Sequence, residues 1–121
     1  MTKQRKKLGS EAEGITADFL RSKGLRIIEL NHRNKIGEID IIAKDGDIFI
    51  IVEVKSKTGI GRGSPEEMVD RRKQRKLIRT AEAYFMLQEI DEPDWRIDVV
   101  AVEYDNFGDF KINWLKNAVE E

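Results

Sequence analysis

The chain contains no cysteine, which excludes zinc–thiolate sites, redox pairs and a cysteine nucleophile. It also suits a reducing cytoplasm. There is one histidine, His32, so a Ser-His-Asp triad has little support. No apolar run reaches the ~18 residues of a membrane span. The charged amino terminus (Lys3, Arg5, Lys6, Lys7) is not followed by an apolar signal core. Linkers, repeats and low-complexity tracts are missing too. A chain of 121 residues is expected to form a single domain, 1–121, with a core that needs no disulfide or structural metal. The expectation is a soluble cytoplasmic protein without a membrane partner.

The net charge of −1 conceals an asymmetry. Residues 1–80 hold 19 Lys/Arg against 12 Asp/Glu, a net of +7, and residues 81–121 hold 3 against 11, a net of −8. For a polyanion, a local basic face matters more than the sum.

Leu8, Ala12, Ile15 and Phe19 recur at helical spacing and predict a helix over about residues 8–23, stopped by Gly24. Leu25 to Leu30 reads as a strand, Asn31 to Lys35 as a polar turn, and Ile36 to Ala43 as a second strand. Asp45-Gly46 signals a hairpin into a third strand, Ile48 to Val54, apolar on both faces and therefore central. The short turns make these three strands antiparallel neighbours. A glycine-rich loop, Thr58 to Gly63, precedes Ser64-Pro65-Glu66-Glu67, which reads as the capped start of a helix reaching about Gln88. Trp95 to Tyr104 is a fourth strand, Asn106 to Asp109 a turn, and Phe110 to Trp114 a short fifth strand.

The most informative stretch is Gly37-Glu38-Ile39-Asp40, followed thirteen residues after Asp40 by Glu53-Val54-Lys55. Alternation puts Glu53 and Lys55 on one face of their strand. Pairing around Asp45-Gly46 as the central turn residues places Asp40 roughly opposite Ile51, one diagonal step from Glu53. Ionisable groups in strands this apolar carry a desolvation cost, and two carboxylates sharing a divalent cation would offset it. Oxygen ligands without His or Cys suit Mg²⁺ or Mn²⁺. Lys55 is placed to orient or deprotonate a water, or to offset charge building on a phosphate.

Glu13 flanks the apolar stripe of the first helix. Lys73 falls in register with Val69, Leu77 and Ala81, on the inward helix face, where it must snorkel or meet an anion. Arg71, Arg72, Lys73, Arg75, Lys76 and Arg79 put six cations in nine residues. Arg71, Arg75 and Arg79 form a self-repelling stripe that a phosphate backbone would relieve. Gly59, Gly61 and Gly63 lack a following Lys-Ser/Thr pair and make no P-loop. His32 reads as a loop residue within reach of substrate. Trp95 and Trp114 read as core.

Glu13, Asp40 and Glu53-Val54-Lys55, in this helix–strand–strand order, resemble the PD-(D/E)XK nuclease superfamily. More closely, the chain resembles the small YraN-like family. The matching pieces are Gly9 with Glu13, Ala17 and Phe19-Leu20; Asn31 with Arg33; Gly37 to Ile42; Val52 to Lys55; Lys73 with Leu77; and Arg96 to Val100. Ile39 stands where the superfamily name has proline. The resemblance implies an α/β, restriction-endonuclease-like fold: a central mixed sheet flanked by helices, order αβββαβ plus a short C-terminal strand. It implies Asp40 and Glu53 as metal ligands, joined by the Val54 carbonyl, and Lys55 as the catalytic lysine. It also implies Glu13 as an additional acid, as in archaeal Holliday junction resolvases.

The expected function is a Mg²⁺- or Mn²⁺-dependent endonuclease hydrolysing DNA phosphodiesters, with branched or repair intermediates among its candidate substrates. Arg33, Lys73 and the Arg71–Arg79 cations would hold the nucleic acid. A homodimer would suit junction cutting, which needs two active sites. The alternatives are a non-catalytic nucleic-acid-binding module and a protein-interaction domain.

Overall fold

The structure, a computed structural model, describes residues 3–58 and 70–118, and for residues 3–9 the backbone alone. Its elements run α1 (Lys3–Ser22), β1 (Arg26–Arg33), β2 (Glu38–Asp45), β3 (Ile48–Thr58), α2 (Arg71–Leu87), β4 (Trp95–Tyr104) and β5 (Phe110–Leu115). The five strands form one sheet in the order β1-β2-β3-β4-β5. Neighbours are antiparallel except β3 and β4, which run parallel across the α2 connection. The mixed sheet flanked by helices is the restriction-endonuclease-like architecture expected from the sequence.

One helix covers each sheet face. Ala17 and Leu20 of α1 pack with Ile41, Ala43, Ile50 and Val52. Leu77, Ala81, Tyr84 and Phe85 of α2 pack with Ile42, Phe49, Ile51 and Ile97. β3 feeds both clusters, which is why it reads as apolar on both sides and lies centrally. Each Leu, Ile, Val or Phe among them, fully buried, contributes about 1.5–3 kcal/mol.

Gly24, at φ +90°, ends α1 as predicted. Leu25 N–H donates to the Leu20 carbonyl and Gly24 N–H to that of Arg21, both at 3.0 Å, the paired bonds of a Schellman stop. The helix also begins earlier than the apolar stripe, at Lys3.

Three expectations need correction. Asn31 to Lys35 is not all turn, because β1 continues to Arg33. Asn31 lets the strand kink rather than stop by taking a left-handed conformation, φ 54°. α2 does not run unbroken from Ser64: it starts at Arg71, after an extended Asp70 (ψ 171°) whose carboxylate accepts the Lys73 N–H. The Ser64–Glu67 cap and the Gly59–Gly63 loop lie outside the described residues. Finally, the β2–β3 register is offset by two from the predicted pairing. Asp45 pairs with Ile48 and Ile42 with Ile51, so Gly46 and Asp47 are the turn residues. Gly46 (φ 61°) sits first of the two, where the hairpin needs a positive φ.

Candidate functional site

The observed register would set Asp40 directly opposite Glu53. The ladder, however, ends one pair earlier, at Ile41↔Val52. Side-chain alternation also breaks there. Ile39 and Ile42, three residues apart, both join the α2-side cluster, while Ile41 joins the α1-side cluster. Asp40 fills the gap with its side chain: Oδ2 accepts the Val54 N–H at 2.8 Å, in place of a strand-to-strand bond. Irregularities of this kind re-aim a side chain at the point where strand pairing ends.

This placement has an electrostatic consequence. The Asp40 carboxyl is pushed up to about 7, first by burial and then by Glu53, with Glu13 adding to the rise. The Val54 N–H and Lys55 pull the other way without cancelling it. Glu13, half-buried on α1, is also raised, chiefly by burial; hydrogen bonding with Asn31 and Asp40 lowers it, and Glu53 and Glu38 raise it. A hydrogen bond between two carboxyls requires one of them to carry a proton. Asp40 thus sits in an excess of negative charge that a bound cation would relieve.

On β3, Lys55 Nζ pairs with Glu53 Oε1 at 3.2 Å; the two side chains are 19% and 22% exposed. Both face a cleft of about 540 Å³ between α2 and the β1–β2 turn. Arg33, Lys35, Lys73 and Lys76 supply its cations, and Leu77 and Thr80 its inner wall. Asp40 is not among the lining residues and meets the cleft through Glu53. Val54 points to the opposite face, against the α1-side clusters, and offers only its backbone.

The oxygen-only donor set has the chemistry for a hard divalent ion. Among the described residues, no three His, Asp or Glu side chains gather into a metal-holding group. Glu13 therefore influences Asp40 and Glu53 without completing a three-carboxylate cage with them. A Mg²⁺-type ion fits two carboxylates, because it keeps several waters.

The basic residues divide. Arg33 is tied to Glu38 at 3.1 Å on the surface. Lys73, in the first turn of α2, lines the same cleft as Leu77 and Thr80 and is exposed there rather than buried. Arg72, Arg75, Lys76 and Arg79 line a second cleft of about 560 Å³ on the outer side of α2. Arg71 is exposed at the helix start. Among the described residues, none of these six α2 cations makes an ion pair.

His32 is not an exposed loop residue. It is buried in β1, edge-on to Tyr84 with ring centroids 5.0 Å apart. Its Nδ1 lies 2.7 Å from Glu29 Oε2 and its Nε2 2.9 Å from Asn34 Nδ2. These partners assign the proton of a neutral ring to Nδ1. Trp95 and Trp114 are half-buried beside the two clusters, as expected.

Sequence reasoning missed Asn34. Its Oδ1 accepts the N–H groups of Ile36 (2.9 Å) and Gly37 (3.3 Å), and its Nδ2 donates to the Thr80 carbonyl at 3.1 Å. The available signal was an Asn three residues before a glycine, an Asx-turn pattern. Gly37 is required by proximity: a Cβ there would lie 2.8 Å from Thr80 Oγ1 and 3.1 Å from Lys76 Cε. The β1–β2 turn is thereby fastened to α2.

Among the described residues, no helix is long and apolar enough to cross a membrane. In sequence the chain is 42% identical over 112 residues to a UPF0102 protein of Persephonella marina, covering 93% of this chain and 92% of that one. It is 38% identical over 120 residues to one from Desulforapulum autotrophicum, covering 99% and 98%. A third, from Vibrio campbellii, is 38% identical over 119 residues, covering 97% and 95%. With residues 12–102 matched by the family model as well, the chain belongs to the uncharacterised protein family UPF0102, the YraN-like family its motifs resemble.

Proposed function

We propose that this protein is a divalent-metal-dependent nuclease that hydrolyses DNA phosphodiester bonds. The observation that supports this reading best is Asp40, a carboxyl held against Glu53 at the end of a strand ladder and raised to about 7 by burial and by its acidic neighbours. A fold keeps such an arrangement at a cost to its stability, and a cation is what removes that cost. Asp40 and Glu53, with the Val54 carbonyl, would hold Mg²⁺ or Mn²⁺. When bound, such an ion polarises a phosphoryl oxygen and lowers the pKa of water.

The chain's own groups do the rest. Lys55, fixed by Glu53, orients the attacking water or offsets negative charge at the phosphate. Glu13 holds Asp40 in place and can exchange a proton with it. Lys73 and Lys76 meet the substrate backbone at the cleft, Arg33 at its rim, and Arg71, Arg72, Arg75 and Arg79 along α2.

The test is a panel of duplex, branched and single-stranded DNAs incubated with Mg²⁺ or Mn²⁺, run beside Asp40→Ala. Cleavage by the wild type and a loss of at least about 10²-fold in the variant are expected, given the several kcal/mol a metal supplies. Undiminished cutting by Asp40→Ala would end this reading. Salt-sensitive binding with no cutting on any substrate would favour the non-catalytic module, which uses the same cations.

A further inference from the structure

We propose that Ile36 is a wedge that divides two DNA strands, so that the protein acts at branch points, with one strand led to Glu53 and the other held along the outer side of α2. The inference rests on the nuclease reading for its substrate class, but its geometry is independent of the acids. Two clefts of similar size, about 540 and 560 Å³, lie on either side of one ridge. Ile36 and Lys76 belong to the walls of both. The first cleft leads to Glu53 and Lys55. Among the described residues the second is lined by Arg72, Arg75, Arg79 and Lys76 around Ile36 and Ile78, with no acid.

A single phosphate backbone needs one cationic track. Two tracks meeting at an apolar ridge match two backbones that diverge there. Nucleic-acid-binding proteins use an apolar side chain of this kind to unstack a base step.

A wedge must also be stiff, and the turn that carries Ile36 is. The Ile36 N–H is fixed on Asn34 Oδ1, Asn34 donates to both Thr80 and His32, and His32 is itself buried against Tyr84. Gly37 sits so close to α2 that the turn cannot move inward. Asn34 also satisfies the buried His32 ring and the Thr80 carbonyl, while Ile36 itself is only half-buried and takes no part in either main core cluster. Opening an intact duplex on Ile36 requires unstacking, whereas a fork has already lost that stacking, so forks are the favoured ligand.

The full chain is titrated, in EDTA, against a fork, a blunt duplex and a single strand of equal length, each carrying 2-aminopurine at the position matching the branch. The wild type is expected to bind the fork about tenfold more tightly than the duplex and to brighten the branch-point 2-aminopurine only in the fork. Ile36→Ala should lose the preference and the fluorescence change while keeping duplex affinity, and Ile36→Leu should retain both. The double variant Arg75→Ala/Arg79→Ala should weaken fork binding more than single-strand binding. Equal wild-type affinity for fork and duplex overturns the wedge whatever the variants do, as does an Ile36→Ala protein that keeps the preference. Because binding is read without metal, failure to cleave defeats the nuclease reading alone, and cleavage without fork preference defeats the wedge alone.

Discussion

The sheet holds two inward-set aspartates, and they are served very differently. Asp98 on β4 is fully buried. It accepts bonds from Arg96 Nε at 2.9 Å and Nη2 at 3.3 Å, from Trp114 Nε1 at 2.9 Å and from the Asn117 N–H at 2.8 Å. One guanidinium and two neutral donors compensate it. Asp40, two strands away, receives one backbone N–H and faces two further acids. Asp98 therefore ties β4 to β5 and the chain beyond it, whereas Asp40 is left in need of positive charge. Burial alone does not decide whether a carboxylate is electrostatically satisfied; the donors around it do.

The comparison is broken most forcefully at Asp98. Asp98→Ala leaves Arg96 uncompensated and strands two further donors, and should cost about 3–5 kcal/mol in urea unfolding. Cutting should be lost only in proportion to unfolding.

At Asp40 the sign reverses. Its carboxyl ordinarily titrates at 3.8 and in the fold at about 7. The folded state thus favours the protonated acid, and stability falls as pH rises from the lower value through the higher. Asp40→Asn keeps an acceptor for the Val54 N–H and removes the charge. It should be more stable than wild type at pH 8 by on the order of 2 kcal/mol and indistinguishable from it near pH 4. Equal melting temperatures at pH 8 would show that the acid is not under electrostatic strain.

Smaller still is the effect of metal on stability. Mg²⁺ at tenfold its dissociation constant should add about 1.4 kcal/mol to the wild type, read as a rise of several degrees in Tm, and markedly less to Asp40→Asn. Asp98→Asn, if folded, should respond to Mg²⁺ as wild type does, which separates the two aspartates directly. The smallest change belongs to Arg71→Ala, exposed and unpaired among the described residues. It should leave Tm within about 0.5 kcal/mol of wild type while reducing the salt slope of DNA binding by about 1.

Most of the strand and helix positions were legible because they depend on near neighbours. The continuous apolar run from Ile48 to Val52, the Gly24 stop and the Asp45-Gly46 turn each express a preference that a few adjacent residues set. The errors have one character. Taking Asp45-Gly46 rather than Gly46-Asp47 as the turn pair shifted the register by two, which preserves which face each side chain occupies but not its partner. Asp40 escaped alternation altogether. His32 looked like loop because its anchors, Tyr84 and Asn34, come from a distant helix and from a turn.

By itself the sequence determined the acids, the lysine, the apolar strands that hold them and the basic run on α2, since composition and period are local properties of the chain. Tertiary structure decided that Asp40 turns its carboxylate to the Val54 N–H, that Asn34 reaches Thr80 across 46 residues, and that two cationic clefts share one ridge. Those features arise from strand ends splaying and helices docking. Their free energies depend on atoms brought together from distant positions, and no short window of residues contains them.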